Sequence, residues 1–234
     1  MQKETDKWFA SWFDTPYYHI LYKERDDQEA EFFMNSLTSF LKIPKKAEIL
    51  DLACGKGRHA IYLNQLGYNI TGIDLSRASI EFAKSFENER LQFKVHDMCI
   101  SYPKKFDAVF NLFTSFGYFE DVEDNFRTIK AIQSELKPKG YGVIDFLNAN
   151  FISKNIVPSE KKTIEGITFS IDRYIEGGYI YKDIEFSDKS EDHFYTERVK
   201  AITLDDFKHY FEKAGVRLLH CFGDYHLNKF NTET

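Results

Sequence analysis

Between Ala47 and Phe146 short apolar runs alternate with helical patterns, and that alternation leaves the chain few folds to choose from. The runs fall at Ala47–Leu52, Asn69–Asp74, Leu91–His96, Phe106–Leu112 and Gly140–Phe146. Strands separated by helices join in parallel through right-handed crossovers, so a Rossmann-like, doubly wound α/β sheet is expected. Before the last run, Val122, Phe126, Ile129, Ile132 and Leu136 form one helical stripe. Asp121, Glu123 and Asp124 open it and Pro138 lies beyond its end. Acids at the start favour the positive end of a helix dipole, and this segment is expected to be a helix.

The flanks carry their own patterns. From Asp26, the positions Ala30, Phe33, Met34, Leu37, Phe40 and Leu41 recur at helical spacing until Pro44. Upstream, Trp8, Phe9, Trp12 and Phe13 suggest a short amphipathic helix, followed by Tyr17, Tyr18, Ile20, Leu21 and Tyr22. So apolar an arm must cover something apolar. After the fifth run, Ile167, Phe169 and Ile171 alternate with polar residues and Gly177-Gly178 separates two strand-like runs. Three antiparallel strands are expected there, a small β insertion after strand 5. A helix returns at Leu204, capped by a Thr203-x-x-Asp206 box and closed by Gly215, and a last apolar run covers Val216–Phe222. The expected organisation is an N-terminal helical arm (1–43), a Rossmann-like domain (44–150 with 204–234) and an inserted antiparallel subdomain (151–203) covering a substrate.

Composition excludes several classes of function. The 234 residues suffice for one α/β domain with an attached subdomain. No run approaches the ~20 apolar residues of a membrane span and nothing resembles a signal peptide, so a cytoplasmic protein without membrane contact is expected. Cys54, Cys99 and Cys221 form no CxxC pair, which suits reduced thiols. His96 and Cys99 share a metal-like spacing, but two ligands do not make a zinc site and no metal is expected. A net charge of -6 without a basic block argues against nucleic acid. The 23 Phe and 14 Tyr either build the core or line a cleft for a flat or apolar ligand.

The chemistry concentrates in ILDLACGKGRHA, Ile49–Ala60, where a strand ends in Asp51 and runs through Gly55-Lys56-Gly57 into a helical pattern. Such glycines let backbone approach a ligand, and the helix N-terminus presents unpaired N–H groups. Gly55, Gly57 and Ala60 also satisfy G-x-G-x-x-G/A, and Asp74 stands nineteen residues beyond Gly55, so nicotinamide dinucleotides compete. The discriminating features are Asp51, four residues before the first glycine, and Asp97, directly after the third run. Three successive strands thus end in aspartate.

From roughly Ala47 to Leu147 the pattern resembles the class I S-adenosylmethionine-dependent methyltransferases of small-molecule type. The resemblance implies S-adenosylmethionine as cofactor and methyl transfer to a small-molecule acceptor by in-line displacement. It places Asp51, Ala53, Cys54, Gly55, Gly57 and Arg58 around the cofactor. Asp74 would bind the ribose hydroxyls with Leu75 near the adenine, and Asp97 the adenine amino group with Met98 beside it. NLFTSFGYF, Asn111–Phe119, would border the transferred methyl through Asn111 and Phe113. It lacks an N-P-P-Y-type motif, which weakens base methylation. Candidate bases or orienters are Tyr18, His19, Tyr22, His59, Tyr118 and His193. The family's sheet closes with a hairpin of strands 6 and 7, but after Val216–Phe222 only GDYHLNKFNTET follows and no seventh strand is visible, so either the chain is truncated or an open sheet edge beside strand 5 is expected. The oligomer is expected to be a monomer or homodimer. The competing readings are an NAD(P)-dependent oxidoreductase and a cofactor-binding regulatory protein without turnover.

Overall fold

The computed structural model describes residues 12–23, 27–119 and 121–232. Five parallel strands form the central sheet: β1 (Glu48–Leu52), β2 (Asn69–Asp74), β3 (Leu91–Val95), β4 (Phe106–Asn111) and β5 (Leu136–Ile144). Their order is β3-β2-β1-β4-β5, so the chain reverses direction of travel between β1 and β4. In open sheets a ligand cleft lies at such a switch point, beyond the carboxyl ends of the strands.

Alternate side chains of β1 explain why both faces are covered. Ile49 packs with Phe33, Met34 and Leu37 of α2 (Asp27–Phe40), Ala60 and Leu63 of α3 (Arg58–Gln65), and Ile80 and Ala83 of α4 (Arg77–Lys84). Leu50 and Leu52 point the other way, into a cluster with Phe106, Val109 and Ile132 of α5 (Val122–Glu135). A strand buried on both sides reads as a continuous apolar run, as Ile49–Leu52 does apart from Asp51.

A second sheet of four antiparallel strands follows α6 (Ala149–Asn155): β6 (Ser159–Ile164), β7 (Ile167–Glu176), β8 (Tyr179–Asp188) and β9 (Glu191–Lys200). Gly177 and Gly178 both have positive φ, 58° and 80°, and make the two-residue turn between β7 and β8. One face of this sheet buries Phe169, Ile171, Ile184 and Phe186 against Trp12 and against Leu21 of α1 (Pro16–Leu21). The apolar arm thus finds its partner in the inserted sheet. Within this contact Glu197 is buried and accepts hydrogen bonds from Trp12 Nε1 and the Tyr22 hydroxyl, each at 2.7 Å.

The structure departs from the sequence reading in three places. The insertion has four strands, because Ser159–Ile164, rich in Lys and Glu, pairs with β7 as an edge strand that needs only one buried face. β5 begins at Leu136 directly after α5; Phe106 pairs with Leu136 and Ala108 with Tyr141, so residues 137–140 form an irregularity that accommodates Pro138. Val216–Phe222 forms no strand in the sheet; after α7 (Leu204–Ala214), capped by Thr203 with Asp206 and closed by Gly215 at φ 72°, the segment makes only an isolated bridge between Phe222 and Lys229. Among the described residues β5 therefore remains an open edge of the sheet, as β3 is at the other side. The helical pattern at Trp8–Phe13 lies mostly outside the described residues, with Trp12 and Phe13 inside them.

Candidate functional site

Two concavities mark the surface. A groove of about 930 Å³ runs along the open edge of β5 between α7 and the 216–225 segment. A cleft of about 370 Å³ lies at the carboxyl ends of β1–β4, where Asp51, Asp74 and Asp97 converge beneath Tyr18, His19 and Tyr22 of the arm. The smaller one has the features of a binding site, since it combines the switch point with convergent polar groups whose ionisation is disturbed.

Asp51 is buried at the tip of β1. The backbone N–H of Ala60, in the first turn of α3, bonds its carboxylate, while its Oδ2 has no hydrogen-bond partner. Burial first, and then the neighbouring charge of Asp74, lift its pKa to about 7. A buried carboxylate oxygen without a donor is costly unless something positive or protic meets it. At the tip of β2, Asp74 accepts the N–H of Gly55 through Oδ2 and of Ser76 through Oδ1, both at 2.8 Å. Burial nevertheless raises its pKa. Each carboxylate oxygen has a second lone pair, so two acceptor sites can still meet a vicinal diol. Asp97 Oδ1 accepts the N–H of Cys99 at 2.9 Å and the side chain borders the cleft with Met98.

The floor after β4 is strained. Phe113 and Thr114 both have φ of 55°, in the left-handed region that ordinary side chains avoid. Asp145, at the end of β5, holds them there: its Oδ2 accepts the N–H of Phe113 at 2.8 Å and the Tyr225 hydroxyl at 3.0 Å, and its carbonyl accepts the N–H of Thr114 at 3.1 Å. The Arg58 guanidinium lies over the Phe113 ring at 4.8 Å, and the centroid of the His59 ring stands 4.7 Å from that of Phe113. His59 is buried with Nε2 unpaired, and burial lowers its pKa to about 3, so it is neutral in the working range. His19 is also shifted down, by burial and by Lys56.

The residues match the chemical inventory of an adenosylated methionine. Asp74 and Asp97 suit the sugar and base, the orphaned Asp51 Oδ2 suits an ammonium, and Lys56, Arg58 and the first turn of α3 suit a carboxylate.

A scan against protein families matches residues 25–221 to the Methyltransferase domain family. The chain belongs to that family. This methyltransferase-domain chain is 33% identical over 154 residues to a putative methyltransferase, YqeM, of Bacillus subtilis, covering 64% of this chain and 58% of the relative. It is 24% identical over 192 residues to dTDP-3-amino-3,4,6-trideoxy-alpha-D-glucopyranose N,N-dimethyltransferase of Streptomyces venezuelae, covering 76% and 78%. Among solved structures, an S-adenosylmethionine-dependent methyltransferase from Clostridium acetobutylicum superposes with a TM-score of 0.76 at 18% identity, over 92% of this chain and 91% of that one. The chain spans about half the length of several curated relatives it matches.

Most residues singled out in the sequence line the cleft: Asp51, Ala53, Cys54, Gly55, Arg58, Asp74, Leu75, Asp97, Met98 and Phe113, with Tyr18, His19, Tyr22, His59 and Tyr118. Three do not. Asn111 is fully buried, its Nδ2 donating to the Leu52 carbonyl at 3.0 Å, and so ties β4 to β1. Gly57 turns at φ 84° where an added Cβ would sit 2.6 Å from the Phe93 ring, so packing accounts for this glycine. His193 stacks on Phe186 and Tyr17, ring centroids 4.8 Å away in each case, on the second sheet. His96 also borders the cleft, with its Nε2 2.7 Å from the Ile100 carbonyl, while the Cys99 thiol lies 3.4 Å from the Thr128 hydroxyl. The reading missed Phe13, Lys56, Ser76 and Ser79 in the cleft and Asp145 behind it. Asp145 was findable, since VIDF ends a strand in aspartate as the earlier three do.

Proposed function

We propose that this chain binds S-adenosylmethionine in the cleft at the carboxyl ends of β1–β4 and methylates a small molecule. The observation that carries the reading is the convergence of three strand-tip aspartates on one cleft, one of them with a buried, unpaired oxygen. In this assignment Asp51, Ala53, Cys54, Gly55, Arg58, Asp74, Leu75, Asp97, Met98 and Phe113 hold the cofactor. The bound cofactor supplies an electrophilic methyl, so what the chain contributes is alignment and exclusion of water. Phe13, Tyr18 and Tyr22 roof the cleft, and the inserted sheet buttresses them through Glu197.

In this division of labour the arm at 12–23 and the inserted segment 151–203 cover the acceptor, while 44–150 with 204–232 hold the cofactor and α2 backs the central sheet. A small-molecule acceptor rather than nucleic acid is supported by the net charge of -6 and the cleft volume of about 370 Å³. Among the described residues no helix is long and apolar enough to cross a membrane. We place the protein in the cytoplasm as a monomer or homodimer.

Titration calorimetry with S-adenosylhomocysteine, beside NAD and NADP, tests the cofactor. Transfer of a labelled methyl group to a panel of small amines and hydroxyl compounds tests the reaction. Heat from a nicotinamide cofactor alone would overturn the assignment, and cofactor binding without transfer to any acceptor would favour a regulatory protein.

A further inference from the structure

One wall of the cleft is built from four rings: Phe13, Tyr18 and Tyr22 of the arm, and Tyr118 from the segment after β4. Phe13 meets Tyr118 at 5.4 Å and 83°, Phe13 meets Tyr18 at 4.9 Å and 56°, and Tyr18 meets Tyr22 at 4.8 Å and 54°. Successive rings are thus turned steeply against each other. A flat aromatic ligand prefers parallel faces, whereas faces converging from different directions suit a compact cation.

The electrostatics point the same way. The cleft's lysine and arginine, Lys56 and Arg58, come from the glycine loop and the start of α3; each lies over another ring, Lys56 over Phe82 at 5.2 Å and Arg58 over Phe113 at 4.8 Å. His19, on the ring wall, is held toward its neutral form by burial and by Lys56. Behind Tyr22 the buried Glu197 carboxylate accepts a hydrogen bond from the phenol at 2.7 Å. Lys182 donates to the Tyr22 hydroxyl and stands 3.8 Å from the Glu197 carboxylate, so the charges behind Tyr22 offset each other and leave the ring wall without net positive charge at that point. An anionic acceptor, a phenolate or carboxylate, would press negative charge against ring faces that repel it.

We infer that the acceptor is a compact aliphatic amine, recognised by the wall of Phe13, Tyr18, Tyr22 and Tyr118; this rests on the methyltransferase reading above. The bound ammonium first gives one proton to solvent, and the freed nitrogen lone pair then forms the new N–C bond while the C–S bond breaks and its electron pair returns to sulfur. Positive charge passes from sulfur to nitrogen, beside the rings.

The test uses tetramethylammonium chloride and tert-butanol, which are similar in size and differ in charge. Binding to the full chain is measured by saturation-transfer NMR, with and without S-adenosylhomocysteine, whose own affinity is measured by calorimetry. Tetramethylammonium is expected to bind roughly tenfold more tightly, the factor that about 1.4 kcal/mol of ring attraction gives. Tyr18→Leu should remove most of that preference and Tyr18→Phe keep it; Tyr118→Leu serves as an independent second variant. Equal binding of the two probes, or a preference indifferent to both leucine variants, overturns the inference. If S-adenosylhomocysteine binds in the same samples, the methyltransferase reading survives that failure; if it does not bind, both fall together.

Discussion

Asp74 Oδ2 accepts the backbone N–H of Gly55 at 2.8 Å, so the acid ending one strand fastens the glycine loop that follows its neighbour. Its other oxygen fastens Ser76, at the entrance to α4. The residue that would grip the ribose therefore also shapes the loop beneath it. Asp74→Ala should weaken S-adenosylhomocysteine binding by roughly a hundredfold, the equivalent of two hydrogen bonds to a charged group, and lower stability by about 1–3 kcal/mol. Calorimetry and urea unfolding read the two effects separately. Unchanged affinity would remove Asp74 from the site.

Gly55 and Gly57 both turn through positive φ, yet they answer to different constraints. A Cβ on Gly55 meets nothing within 4 Å, while one on Gly57 would strike Phe93 at 2.6 Å. Gly55→Ala should cost about 1 kcal/mol from backbone strain alone, and Gly57→Ala about 2–4 kcal/mol through added overpacking. Thermal unfolding should rank Gly57→Ala as the more damaging. The reverse order would show that the second glycine serves ligand approach rather than packing.

Asp51 makes stability and binding depend on pH in opposite directions. Its pKa of about 7 in the fold, against 3.8 as the ordinary value, means that the folded chain holds an extra proton between those limits. This contribution to stability is fully present below about pH 4 and is lost as pH rises through about 7. Asp74 shifts in the same direction, so the difference between wild type and Asp51→Asn isolates Asp51. Urea unfolding from pH 4 to 8 should show a shallower decline for the variant. Cofactor affinity should instead rise through pH 7 in the wild type, as the carboxylate becomes available to an ammonium. A variant with the wild-type slope would mean that Asp51 titrates normally.

His193 was a candidate base, and its place on the second sheet gives a sharp negative expectation. His193→Ala should leave cofactor affinity and methyl-transfer rate within roughly twofold while costing about 1 kcal/mol of stability, from lost stacking on Phe186 and Tyr17. A large loss of rate with affinity intact would put this histidine back in the reaction.

What could be read from the sequence was whatever a short window encodes. Short apolar runs between helical patterns located all five strands of the central sheet, and the Thr203–Asp206 box with Gly215 located α7. The strand-tip aspartates were legible because an acid ending an apolar run stands at the carboxyl edge of a sheet, where its neighbours also end. Window reasoning failed where a residue's role depends on a distant partner. Asn111 follows an apolar strand as Asp51 does, yet it turns inward because the Leu52 carbonyl needs a donor. Val216–Phe222 has the composition of a strand but no neighbouring strand to pair with, and apolar residues alone do not make a ladder.

The sequence by itself determined the parallel sheet, the glycine loop and the three acids, because local periodicity and chain order are sufficient to specify crossovers and strand ends. Only the tertiary structure decided that the aromatic arm returns over the cleft and that Glu197, from β9, is buried between Trp12 and Tyr22. It alone also showed that Asp145 holds the strained Phe113. Those contacts join residues as many as 185 positions apart, and no local pattern records which distant polar group will satisfy a buried one.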